Sequence, residues 1–323
     1  MSHELTINKN GQVEFAYLRS DGNTWHGLGQ ALEDNATHDE WLQASGMNWR
    51  VLRSKVRYAT ERGEGPSTFR EMPEQHVLFR SDDKRPLGVV SDRYKVVHPG
   101  EVLEFFRDIV RVGGLELSAA GTVFGGKRFW ATARIGEASP LSVKDRIKGY
   151  LLLSTSADGT LATTVRKTSV RVVCRNTLAM AMGDAAVIKV SHRSQFNPDS
   201  VKAEMGLNEA AWEAFRHNIV RLANVSIPVD QAEHMTQTLL GGDVKVVTSA
   251  GYNKILDLFK GAGQGANLDG VAGTAWGWVN GVTEYVDHWA RARSDENRFV
   301  SSQWGTGAAL KSRAMDMALA LAV

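Results

Sequence analysis

One cysteine, Cys174, stands in 323 residues, which excludes an internal disulfide and any zinc site built on several thiolates. Nine histidines are present, but no two lie four residues apart, so the helical His-x-x-x-His zinc pattern is missing as well. No apolar run approaches the roughly 18 residues that a membrane-crossing helix needs. The opening MSHELTINKNGQVEF lacks the basic-then-apolar order of a secretory signal. These absences lead to the expectation of a cytoplasmic protein with no metal and no membrane partner.

Nucleotide-binding patterns are missing too. GTVFGGKR (121–128) comes one residue short of a phosphate-binding loop, because Arg128 stands where Ser or Thr would hold Mg²⁺. Its Thr-Val-Phe interior favours a strand, so a hairpin accounts for it better. The glycine-rich GAGQGANLDG (261–270) has no strand–turn–helix setting of the kind a dinucleotide needs. Glu213 and His217 share a helix face, but two side chains are not a site. No cofactor is expected, and no catalytic constellation assembles.

Charge is present in balanced amounts but unevenly placed. From Lys127 to Arg193 there are twelve Lys/Arg against four Asp/Glu, a local excess of +8 in a chain of net charge +2. A second basic cluster, RVLRSKVR, covers residues 50–57. Such concentration points toward an anionic partner; its bland counterpart is a solvated face.

The pattern of elements predicts an α+β protein: antiparallel hairpin strands packed by helices, with a mainly helical C-terminal region. Residues 1–70 read as a loop-rich lead with one helix capped by Thr37, residues 71–197 as the α+β core, and 198–323 as the helical region. Pro99 opens a helix whose Val102, Leu103, Phe106, Ile109 and Val110 form one stripe. Hairpins are expected to turn at Gly125-Gly126 and Asp158-Gly159. The stretch TTVRKTSVRVVCRNTLAMAM (163–182) is expected to end a strand and then, from Thr168 as N-cap, form a helix. Its Val170, Val173, Cys174, Thr177, Leu178 and Ala181 fall at helical spacing. On that stripe Cys174 reads as a small buried hydrophobe rather than a reactive thiolate.

The basic residues offer the most coherent chemistry. Lys127 and Arg128 sit at a hairpin tip beside Trp130. Arg166 and Lys167 close a strand, Arg171 and Arg175 follow one turn apart, and Lys189 and Arg193 belong to the next strand. If these pack together, they line one groove in which the cations neutralise phosphates, while Trp130 stacks on a base or supports the hairpin. Trp25 and His26, before a Gly-x-Gly turn, stand apart; a structural knot with buried Trp is the commoner outcome for such a motif, and a ligand site is the alternative.

Five segments carry a resemblance: WHGLG (25–29), GVVSDRYKVV (88–97), TSVRVVCRNTL (168–178), GTAWGWVNGVTEYVDH (273–288) and GTGAALKSRAM (305–315). Together they resemble the phage- and plasmid-borne proteins grouped as the domain-of-unknown-function 932 family. The resemblance implies a mobile-element accessory protein with no assigned reaction. In outline the hairpin-and-helix core is also similar to Rad52-like single-strand annealing proteins, which hold single-stranded DNA by its backbone in rings or helical arcs. The expectation is therefore a non-catalytic DNA-binding protein, acting on single-stranded DNA in annealing and recombination as a homo-oligomer. The alternative is an interaction protein that counters host restriction or defence.

Overall fold

The computed structural model describes residues 6–8, 11–21, 29–60, 68–112, 114–138, 141–142, 144–171, 176–179, 187–190 and 209–322. Alternating apolar residues between turn signals produce two sheets. The larger contains β1 (Phe15–Leu18), β2 (Gln30–Leu32), β6 (Leu117–Val123), β7 (Arg128–Ala138), β8 (Ile147–Ser156), β9 (Thr163–Arg171), β10 (Asn176–Ala179) and β11 (Val187–Val190). Its order is β10-β9-β8-β7-β6-β1-β2, with β11 also paired to β9; only β1 and β2 run parallel. The smaller sheet is β3 (Val51–Thr60), β4 (Thr68–Arg80) and β5 (Pro86–Ser91), in that order and antiparallel.

Both predicted hairpin turns form. Phe124, Gly125 and Gly126 all take positive φ between β6 and β7. Gly126 is required there on two counts: its φ is 90°, and an added Cβ would lie 2.6 Å from the Trp49 ring. Two helices cover one face of the large sheet. The first, α1 (His38–Ala44), starts in a capping box in which the Thr37 side chain and Glu40 satisfy each other's backbone N–H groups. The second, α2 (Pro99–Val112), lays its predicted stripe on Phe129, Ala131, Leu151, Leu153 and Val165, and Val51, Leu78, Leu87 and Val90 of the small sheet complete this core.

The C-terminal region is helical, as its pattern predicts: α3 (Glu209–Ala223), α4 (Val229–Leu239), α5 (Ala250–Asp257), α6 (Ala275–Glu284), α7 (Asp295–Trp304) and α8 (Thr306–Leu321). Every residue of α6 is buried, which makes it the central helix of this layer. Thr274 caps it by accepting from the Gly277 N–H at 3.1 Å, and Trp278 Nε1 donates to Thr236 on α4 at 2.9 Å. The bundle meets the sheet twice. Trp212 of α3 lies where a Cβ on Gly136 or Gly149 would stand, 2.7 Å away in each case; Phe299, Val300 and Trp304 of α7 pack on Trp130 and Leu152 from the opposite face.

One expectation is corrected. Residues 168–171 continue β9, and 176–179 form β10, which pairs back on it with Asn176 opposite Arg171. No helix starts at Thr168. The apolar residues happen to fit a helical spacing, but Thr163, Thr164, Val165, Thr168 and Val170 are β-branched and pack better on a pleated, half-buried surface. Cys174 lies outside the described residues.

Candidate nucleic-acid interface

The strand assignment of β9 redistributes the basic residues. Successive side chains on a strand point to opposite faces, so Arg166, opposite Leu152, and Lys167, opposite Leu151, lie on different sides of the sheet. Arg166 turns toward α7, where its guanidinium donates to the Gln303 carbonyl at 2.5 Å. Burial lowers the pKa of both Arg166 and Lys167. Trp130 is 1% exposed and packed between Phe15 and Phe299, with ring centroids 5.4 and 5.8 Å away. It therefore supports the hairpin and has no free face for a base. Arg128 shares its face and lies over the Phe124 ring at 5.4 Å, with Lys127 beside it in the turn. Arg171 ends β9 opposite Ile147, and Lys189 of β11 pairs with Thr164. Arg175, Arg193, Trp25 and His26 lie outside the described residues. The expected single groove is thus split by the pleat: Arg128 and Arg166 on one side, Lys167 on the other.

Several buried charges hold the fold together. Asp21 accepts from Tyr150 at 3.0 Å, from Arg134 and Lys148 at 3.1 Å each, and from Ser118. Lys311 of α8 pairs with Asp287 at 2.7 Å, both almost fully buried; burial lowers the Lys311 pKa, and Asp287 opposes that shift. A cleft of about 540 Å³ between α1, α2 and the start of β6 is lined by Trp41, His38 and Arg107, but its Asp34, Glu104, Asp108 and Glu116 outnumber its arginines. Its charge repels phosphate.

The opposite electrostatic character belongs to the β3–β4 hairpin, which carries the basic cluster at residues 50–57. Only residues 75–79 of β4 are paired with β5, so residues 56–60 and 68–74 continue as a two-stranded ribbon beyond the sheet. The ten residues of β3 span about 30 Å at ~3.3 Å per residue. Past the first residue β3 has none buried, and β4 has none before Leu78. At its described end Thr60 and Thr68 bond across the strands, hydroxyl to hydroxyl at 2.8 Å.

Cross-strand partners share a face. Arg57 and Glu71, then Ala59 and Phe69, form one face; Tyr58 and Arg70, then Thr60 and Thr68, form the other. Tyr58 is 49% exposed, Met72 47% and Phe69 72%. Charges alone are a common guard against edge pairing, but exposed aromatic rings do not serve that end. A short ribbon of this kind has little stability of its own, so its base needs an anchor.

Arg80, at the root of β4, supplies it. Its guanidinium donates two bonds to Glu14, at 2.7 and 3.0 Å, and two to Asp82, at 2.8 and 3.0 Å. It also lies 4.3 Å over the Trp49 ring. Burial by itself depresses this guanidinium, but its hydrogen bonds to Asp82 and Glu14 raise it above its ordinary value. Glu14, next to β1, ties the ribbon's base to the large sheet. The cluster at residues 50–57 was the visible signal of this feature; the pairing that turns it into a projecting arm was not visible.

A family model described as a domain of unknown function, DUF932, matches residues 86–304, about two thirds of the chain. The ribbon precedes the matched residues. No curated protein and no solved structure matches the chain.

Proposed function

As the chain belongs to the DUF932 family, which brings no assigned activity, we propose from its own surface that it is a nucleic-acid-binding protein that engages single strands. The observation carrying this reading is the projecting ribbon with the β3 segment that leads into it, on which Arg53 and Lys55, then Arg57 and Arg70, run toward exposed Tyr58 and Phe69. Cations that track a phosphate backbone, together with aromatic faces on which unpaired bases stack, are the combination that sequence-neutral single-strand binding uses. Annealing of complementary strands is the biological role that fits, since it requires alignment of two extended strands and no bond chemistry. Several copies along one strand belong to the same proposal.

Fluorescence anisotropy with a labelled single-stranded oligonucleotide and its duplex tests the reading. Tighter binding of the single strand, weakening steeply with salt as condensed counterions are released, is the expected result. Equal affinity for the duplex, or a flat salt response, would overturn it.

A second reading has its own observation. The outward side of the small sheet presents Leu52, Val77, Phe79 and Val89, with Leu52 36% and Val89 57% exposed. Contiguous exposed apolar groups of this kind mark protein contacts. An interaction protein directed at a host defence factor would use that side and show no affinity for DNA.

A further inference from the structure

The two faces of the ribbon differ in how their cations are occupied. On one face Glu71 binds two of them at once: Lys55 Nζ donates to one carboxylate oxygen at 2.7 Å, and Arg57 Nη2 to the other at 3.0 Å. All three side chains are largely in water, with Lys55 63%, Arg57 64% and Glu71 42% exposed. Those hydrogen bonds, the Lys55 one first, hold the Glu71 carboxyl below its usual range, so it stays charged at neutral pH. On the other face Arg70 stands beside Tyr58 and has no carboxylate partner among the described residues. Glu74, the other acid of this stretch, lies at the bulge with a positive φ of 56° and pairs with neither cation.

A carboxylate seated on two exposed cations presents to them the same charge-assisted bonds that a phosphate would. Exposed pairs of this kind are weak, about 0–1 kcal/mol each, so they are readily exchanged. Resting on the single-strand reading above, we propose that Glu71 is a resident competitor for phosphate: it occupies Lys55 and Arg57 in the free protein, leaves Arg70 as the ribbon's ready contact, and sets the affinity and salt response of nucleic-acid binding. In the bound state the strand's phosphates replace the carboxylate on Lys55 and Arg57. Glu71 thereby lowers affinity for weakly charged or short partners more than for a continuous phosphate chain, which can supply two replacements together.

Anisotropy titrations of a labelled single-stranded oligonucleotide from about 50 to 300 mM salt test this with four proteins: wild type, Glu71→Gln, Glu74→Gln, and Glu71→Gln in a Lys55→Ala/Arg57→Ala background. Both glutamine variants remove one negative charge from the same ribbon, but only Glu71→Gln frees two cations. The expected result is a several-fold tighter Glu71→Gln protein whose advantage is largest at about 50 mM and shrinks as salt screens the ion pairs Glu71 makes in the wild type. Glu74→Gln should keep the wild-type slope, and the gain should vanish without Lys55 and Arg57. Equal effects of Glu71→Gln and Glu74→Gln, or no effect of either on a wild type that binds, would overturn the competitor role while leaving single-strand binding intact. Failure of the wild type and all variants to bind at 50 mM salt would overturn both.

Discussion

At the scale of single residues, Arg80 carries the most. It is 1% exposed, it satisfies Glu14 and Asp82 together, and its plane covers Trp49. Breaking a buried pair from one side leaves the remaining charge uncompensated, at a cost of about 3–5 kcal/mol. Arg80→Ala is expected to lose stability on that scale in urea unfolding. Arg80→Lys should recover only part, since an ammonium cannot make two bidentate contacts at once. The same residue gives the acid response a direction. Burial tends to raise the Asp82 carboxyl, but the hydrogen bond and charge of Arg80 together with backbone N–H groups outweigh it and hold the carboxyl below its ordinary value. A carboxyl depressed in the folded state contributes stability above its unfolded pKa and loses it as pH falls through the folded value. Unfolding midpoints measured between pH 6 and pH 2 should therefore fall at the acid end, and Asp82→Asn should flatten part of that fall. None of this was legible in the sequence: Glu14 and Arg80 are 66 residues apart, and no local pattern links them.

At the scale of elements, legibility depended on whether local chemistry and tertiary pairing agreed. The α1 cap at Thr37, the α2 stripe and the Gly125-Gly126 turn were readable because side-chain spacing and turn residues each specify one local structure. The stretch after Thr168 failed because a helical spacing of apolar residues competed with β-branched content, and pairing with β8 decided for strand. That one change sends Arg166 and Lys167 to opposite faces, which is why the candidate groove could not be read from linear clustering. The ribbon shows the converse case: its basic residues were visible, but its projection follows from β5 being too short to cover it. Because Arg70 is exposed and has no carboxylate partner among the described residues, Arg70→Ala should change stability by no more than about 0.5 kcal/mol. It should also reduce the single-strand salt slope by about 0.7, the value of one phosphate contact; thermal unfolding and anisotropy on the same preparation check both.

At the scale of the whole molecule, residues 168–170 and 275–284 of the segments that carry the family resemblance are buried in the core. Asp287 and Lys311 come from two of them and meet as a buried pair, and Trp276 and Trp278 fill the helical layer. Their role is to bind the bundle to itself and, through the neighbouring α7, to the sheet. Lys311→Ala should cost about 3–5 kcal/mol by removing one side of a buried ion pair, seen as a lower urea midpoint. The family match and the proposed contact surface thus occupy different parts of the chain: the first describes residues 86–304, the second lies in β3 and β4. The central claim is that this ribbon holds nucleic acid, and its most direct test is the affinity of the Tyr58→Ala/Arg70→Ala protein for a labelled single-stranded oligonucleotide at low salt. Loss of one stacking ring, worth about 1–3 kcal/mol per base, and of one phosphate contact predicts binding at least about tenfold weaker with the unfolding midpoint unchanged. Wild-type affinity in that variant would contradict the claim.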